Sequence, residues 1–219
     1  YGMSLSFKVV KSTVKSSILN PKNGKSLSVE MQLKVPNEST QGTQIILQKI
    51  NQDKNHGFSI RLNPTMSTTT VEAQFDIFSG SSSMTISSPL NKGSFNHLCF
   101  VFDRDSKFHN LKLYNNKLVV ATSNDSNYIE DFDIDFSDLL IGSGSQYSVL
   151  STIITPQQTL SGTIDELRIF HSSRSPQQIS SYAQKSIYST SDLKLYYRFN
   201  EPPPPLSPIF DDITNAIVL

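Results

Sequence analysis

Two groups of residues in this chain have types and spacing that could do chemistry. The first is Glu130-Asp-Phe-Asp-Ile-Asp-Phe136, where Asp131, Asp133 and Asp135 alternate with Phe132, Ile134 and Phe136. Read as a strand, the run puts three carboxylates on one face and three apolar side chains on the other. The two carboxyls of a retaining glycosidase stand ~5–5.5 Å apart, and residues two apart on a strand face are separated by about 6.5–7 Å. The spacing therefore permits an acid–nucleophile pair. Against it, all three residues are Asp, and the 219-residue chain has no Trp to stack on a sugar ring. The plainer readings are an acidic solvent face that discourages edge pairing and a loose calcium rim. The second group centres on Asp165, within the strand-like run Thr163–Phe170. Parity places Asp165 with Leu167 and Ile169, facing the core, and Glu166 beside Arg168 on the other face. A core-facing carboxylate must be hydrogen-bonded, ion-paired or metal-bound, so loop amides, an arginine and a calcium ion are its candidate partners.

The other reactive residue types carry less. His56, His97, His109 and His171 are scattered, without the spacing of metal ligands. No Ser/His/Asp order and no phosphate-cradling glycine loop is present. Cys99, the sole cysteine, lies in HLCFVF and reads as a small buried hydrophobe. Tyr114, Tyr147, Tyr182, Tyr196 and Tyr197 would serve a recognition surface or strand packing.

These residues sit in a chain built from alternating apolar runs. Leu27, Val29, Met31, Leu33 and Val35 alternate with Ser28, Glu30, Gln32 and Lys34, the cleanest two-residue period present. Leu5–Val9, Thr43–Ile50, Phe58–Leu62 and Val71–Ile77 read as further strands, the last running into a serine-rich turn at Ser79–Ser83. Phe95–Asp103 is apolar on both faces, as a central strand covered on each side should be. Leu111–Val120 reads as two strands joined through Asn115-Asn116, since Asn tolerates the positive φ of a type I′ turn. Near the C-terminus, Leu193, Leu195, Tyr197 and Phe199 share one face of a last strand. One helix is expected near residues 176–184. Ser175 is its N-cap, Pro176 its first residue and Gln178 completes a capping box, with Ile179, Tyr182 and Ala183 as its apolar stripe.

Composition narrows the partners. Lys plus Arg and Asp plus Glu both total 19, so the formal net charge is zero, and nucleic acid and anionic membrane are poor expectations. No apolar run approaches the ~20 residues that cross a bilayer.

The motifs carry a resemblance. G-x-I-D-E-L-R-I-F at Gly162–Phe170, then S-P-Q-Q-I, resembles the closing signature of the laminin-G-like branch of the concanavalin A-like lectin/glucanase superfamily. Phe170 stands where that family has Tyr, and Gln178 where it has Glu. His97-Leu-Cys99, Ile141-Gly-Ser143 and Leu193–Glu201 resemble further elements of it, and Asp211–Asn215 resembles the segment after its opening strand. The resemblance implies an all-β, two-sheet antiparallel jelly-roll sandwich spanning residues 1–219 as one domain. Residues 202–208 are then a proline-rich segment before a C-terminal strand or the start of a following repeat. The acidic run 130–136 is similar to the carboxylate strand of glucanases in the superfamily, but its final Glu is missing. The family also implies a rim calcium ion, with Asp165 and either Asp211 or Asp212 as its carboxylates. Function is expected to be non-catalytic recognition or adhesion, with a glycan or protein surface as partner. The expected setting is extracellular, on a cell or virion surface, in contact with neighbouring subunits or repeats. A purely structural subunit-contact module is the alternative, and a glycoside hydrolase the remote one.

Overall fold

The computed structural model describes residues 5–7, 18–38, 41–105, 108–123, 128–199 and 217–218. The strands are β1 (Leu5–Phe7), β2 (Leu27–Lys34), β3 (Gln44–Ile50), β4 (His56–Asn63), β5 (Thr70–Ser79) and β6 (Ser82–Asn91). They continue as β7 (Phe95–Asp103), β8 (Asn110–Asn115), β9 (Leu118–Thr122), β10 (Leu139–Ile141), β11 (Tyr147–Val149) and β12 (Thr152–Ile154). β13 (Thr163–Phe170), helix α1 (Pro176–Tyr182), β14 (Leu193–Tyr197) and β15 (Ile217–Val218) complete the order.

Two sheets face each other. One is ordered β1-β10-β3-β4-β5-β6 and the other β15-β14-β13-β2-β7-β8-β9, with β11 and β12 forming a separate hairpin. Alternation decides what lies between them. Leu27, Val29, Met31 and Leu33 of β2 meet Phe58, Ile60, Phe75 and Ile77 of β4 and β5 in one core. Phe75 and Phe100 lie with ring centroids 5.4 Å apart. This is the expected jelly-roll sandwich with one short helix.

β6 is the strand that sequence patterning hides. Its residues SSMTISSPLN are rich in serine and include Pro89, yet it pairs with β5 along ten residues. It is an edge strand, where a missing N–H is tolerated. The β8–β9 turn has the expected left-handed pair one residue later, at Asn116 (φ +48°) and Lys117 (φ +74°). Asn116 donates its N–H to the His97 carbonyl and accepts the His97 N–H on its side chain, which fastens the turn to β7.

The outer face of the seven-stranded sheet is also covered. Ser28 and Glu30 alternate away from the core and are still buried. Above them lies α1, whose Ser175–Gln178 capping box forms as expected. Its Ile179 packs on Cys99, Val101 and Tyr114. Beside that contact, Glu30 Oε1 accepts from His97 Nε2 (2.8 Å) and Arg168 Nη1 (3.0 Å). Arg168 also donates to the carbonyls of Tyr182 (2.9 Å) and Lys185 (2.7 Å), satisfying acceptors that the helix end leaves open. His97 is therefore a structural residue, as the resemblance implies.

Bulges correct two parity readings. β13 pairs with β2 as Asp165 opposite Gln32 and then Arg168 opposite Glu30, with Glu166 at φ +52° absorbing one extra residue. Ile164 packs on the core before the bulge, and Leu167 and Ile169 lie in it afterwards. Asp165 therefore lies on the outer face, not toward the core. In the same way β14 shifts register between Leu195 and Leu193, which moves Leu193 out of the core to join Phe170 and Tyr196.

Candidate functional site

The acidic run 130–136 is not a strand. It crosses the rim of the sandwich as an irregular segment, because two of its carboxylates bind a neighbouring turn rather than face solvent as a row. Asp131 accepts the backbone N–H groups of Asn23 (2.8 Å) and Gly24 (3.1 Å). Asp135 accepts Asn20 Nδ2 at 2.8 Å and pairs with Lys22. Ile129, Phe132 and Ile134 anchor the segment in the core, while Phe136 is exposed rather than buried with them. Burial would raise the Asp131 carboxyl, but the Gly24 and Asn23 amides and the Arg104 guanidinium outweigh it and hold it below the usual carboxylate range. Asp131 is therefore not poised as a general acid.

Arg104, at the end of β7, ties the rim together. Its side chain is buried, with the guanidinium 5.0 Å from the ring centroids of both Phe102 and Phe132. Nη1 donates to Asp131 Oδ1 (2.8 Å) and to the carbonyls of Pro21 (3.2 Å) and Lys25 (3.5 Å). Nη2 donates to the carbonyls of Ile129 (3.1 Å) and Glu130 (2.5 Å). One side chain thus clamps the turn after Leu19, the end of β7 and the acidic segment.

Over this clamp opens a cleft of about 560 Å³, lined by the Asn23-Gly24 turn, Arg104, His109, Tyr128, Glu130 and Asp131. Tyr128 is 65 % exposed and its ring lies 4.4 Å from that of His109. His109 is buried and accepts the Ile129 N–H on Nδ1 (3.0 Å), which leaves the proton of the neutral ring on Nε2. Burial, then the nearby Arg104 charge, holds its imidazole below the ordinary value. The result is a rigidly backed, exposed aromatic face beside the exposed Glu130 and Asp131 carboxylates. Such an arrangement stacks on an apolar ring face and accepts hydrogen bonds from hydroxyls around it.

Asp165, the sequence-predicted calcium ligand, does not line this cleft. Asp165 accepts the Glu166 N–H (2.9 Å), which steadies the bulge. It lines a second cleft of about 340 Å³ on the outer sheet face, with Gln32, Phe95 and Glu166. Asp211 and Asp212 lie outside the described residues. Among the described residues, no group of three or more His, Cys, Asp or Glu side chains could hold a metal ion. Of the five tyrosines weighed from sequence, Tyr114, Tyr147, Tyr196 and Tyr197 are buried and only Tyr182 is exposed. Tyr147 donates to Asp76 at 2.6 Å beneath the β11–β12 hairpin. Cys99 is buried, and burial pushes its thiol well up, as an inert core residue requires. Sequence reasoning missed Tyr128 and Arg104, and no local signal distinguishes either one, since each gains its role from a loop distant in sequence.

The model of the concanavalin A-like lectin/glucanases superfamily, in its laminin-G-like form, matches residues 11–180. A comparison with curated protein sequences finds no match. Among solved structures, the chain is similar to a Bacteroides ovatus protein assigned as carbohydrate-binding, with TM-score 0.56 and 15 % identity over 90 % of this chain and 49 % of that one. It thus spans about half the length of that protein. A heptameric pentraxin from Limulus polyphemus follows, with TM-score 0.52, 17 % identity, and 83 % and 81 % of the two chains covered. A third is the sialidase module CBM40 of Ruminococcus gnavus bound to α2,3-sialyllactose, with TM-score 0.50, 10 % identity, and 83 % and 98 % covered. At such identities the likeness is one of fold.

Proposed function

Because the chain belongs to the laminin-G-like branch of the concanavalin A-like lectin/glucanase superfamily, we propose that it is a non-catalytic recognition module whose rim cleft binds glycan. The observation that carries this is Tyr128, an exposed ring backed by His109 at the mouth of a 560 Å³ cleft bordered by carboxylates. Recognition suits this geometry better than hydrolysis, since Asp131 and Asp135 are engaged by the 20–24 turn and the Arg104 clamp. The carbohydrate-binding assignment of a structural neighbour supports the same reading. The setting we propose is extracellular, on an adhesin, surface filament or virion appendage. The test is a glycan array followed by calorimetry on the best hit. Wild type should bind, and Tyr128→Ala should lose at least tenfold in affinity at an unchanged melting temperature. An array without hits overturns the reading.

A subunit-contact role has its own observation. Edge strand β9 exposes Leu118, Val119 and Val120 in succession, a surface of the kind that pairs with another chain. Under that reading the chain self-associates in sedimentation at high concentration, and Val119→Lys abolishes the association. A rim calcium ion is a separate proposal. Its signature is a melting temperature raised by calcium in wild type and not in Asp165→Asn.

A further inference from the structure

The rim cleft carries more information than the presence of a ligand, because its charges discriminate between ligand classes. Resting on the glycan reading above, we infer that the cleft takes a neutral saccharide and rejects glycans ending in a sialic acid, uronate or sulfate.

Arg104 is the one guanidinium or ammonium among the described lining residues. An arginine recognises an anion by presenting N–H pairs outward in a fork. Here both terminal nitrogens donate inward, Nη1 to Pro21, Lys25 and Asp131, and Nη2 to Ile129 and Glu130. The remaining N–H, on Nε, is buried without a partner. The side chain retains only 1 % of its exposure. Its terminal donors are all engaged and the unpaired Nε is out of reach of solvent, so no accessible donor of this group faces a ligand, and withdrawing a terminal one would release a loop. Lys22, nearby on the turn, is paired with Asp135, and Lys25 is exposed but is not a lining residue. His109 is held below its ordinary value by burial and by Arg104, so it adds no cation at neutral pH.

What the cleft offers instead is negative. The Asp131 side chain keeps 46 % exposure on one wall, and Glu130 is exposed beside it with only its backbone carbonyl engaged by Arg104. Carboxylates are acceptors only. They suit the hydroxyl donors of a neutral sugar, whose apolar face stacks on Tyr128, and they repel an acidic one across a partly desolvated gap. This differs from the sialyllactose-bound module that shares the fold.

The test is an immobilised panel of oligosaccharides in matched pairs, each neutral glycan beside its sialylated or sulfated form, read at moderate and high salt. The expected result is binding confined to neutral members by at least tenfold. Glu130→Gln should weaken those members severalfold and narrow the gap to the acidic partners, with an unchanged melting curve. Preference for the acidic members overturns the inference while leaving glycan recognition intact. Neutral binding that survives both Glu130→Gln and Tyr128→Ala moves the ligand to another face and also overturns it. Silence across the whole panel overturns the glycan reading together with the inference.

Discussion

At the scale of single residues, this protein depends on charges placed where solvent is scarce. His171 shows the consequence most plainly. Burial, then the Lys194 charge, lowers its imidazole to about 4, and His109 is shifted in the same direction. Both pKa values are depressed in the folded state, and for His171, between pH 6.5 and about 4, the unfolded chain binds a proton that the native one refuses. The stability that His171 contributes is complete above pH 6.5 and is lost as pH falls through that window, at up to ~1.4 kcal/mol per pH unit. Asp131 and Asp192 are likewise held low, and their contribution is lost at lower pH, from the ordinary carboxylate range down toward their folded values. Urea midpoints should therefore already fall between pH 6.5 and about 5, above the ordinary carboxylate range, and His171→Gln should flatten that part of the slope. A flat wild-type profile to pH 4.5 would contradict the assignment. Arg104 makes the second prediction at this scale. Arg104→Met leaves carbonyls from two segments without their donor and should cost at least about 2 kcal/mol, several degrees in melting temperature for a chain of this size.

At the scale of elements, α1 and the sheet beneath it form one unit. A seven-residue helix is too short to persist alone; it is held by the capping box, by Ile179 and by the Arg168 donors at its far end. Ile179→Ala should cost about 2–4 kcal/mol and Ser175→Ala about 1 kcal/mol, both readable from chemical denaturation. Equal costs would mean that packing does not dominate. The β8–β9 turn is the opposite case, an element carrying strain. Exposed Lys117 sits at φ +74°, so Lys117→Gly should stabilise by about 0.5–1 kcal/mol, visible as a higher melting point. The capping box and the clean alternation of β2 are legible from sequence, because each depends on residues a few positions apart. The bulge at Glu166 is not, and it reverses the side on which Asp165 lies. A single inserted residue changes parity while leaving composition untouched. β6 escapes notice for a related reason, since serines and a proline disguise a strand whose partner alone defines it.

At the scale of the whole molecule, both sheets share one core, so the described residues should unfold in a single cooperative transition with coincident fluorescence and circular dichroism. The pairings join segments far apart in the chain, β2 with β7 and with β13 among them. Refolding should therefore be slow, in the millisecond-to-second range or beyond. Noncoincident probes would instead indicate separate units. The sequence by itself determined the sandwich, its helix and its family, because period-two alternation, capping residues and signature motifs are local and survive without their neighbours. Only the tertiary structure decided where the rim cleft lies. Tyr128, His109, Arg104 and the Asn23-Gly24 turn are adjacent because loops distant in sequence converge on one rim, and convergence of that kind leaves no trace in the spacing of residues along the chain.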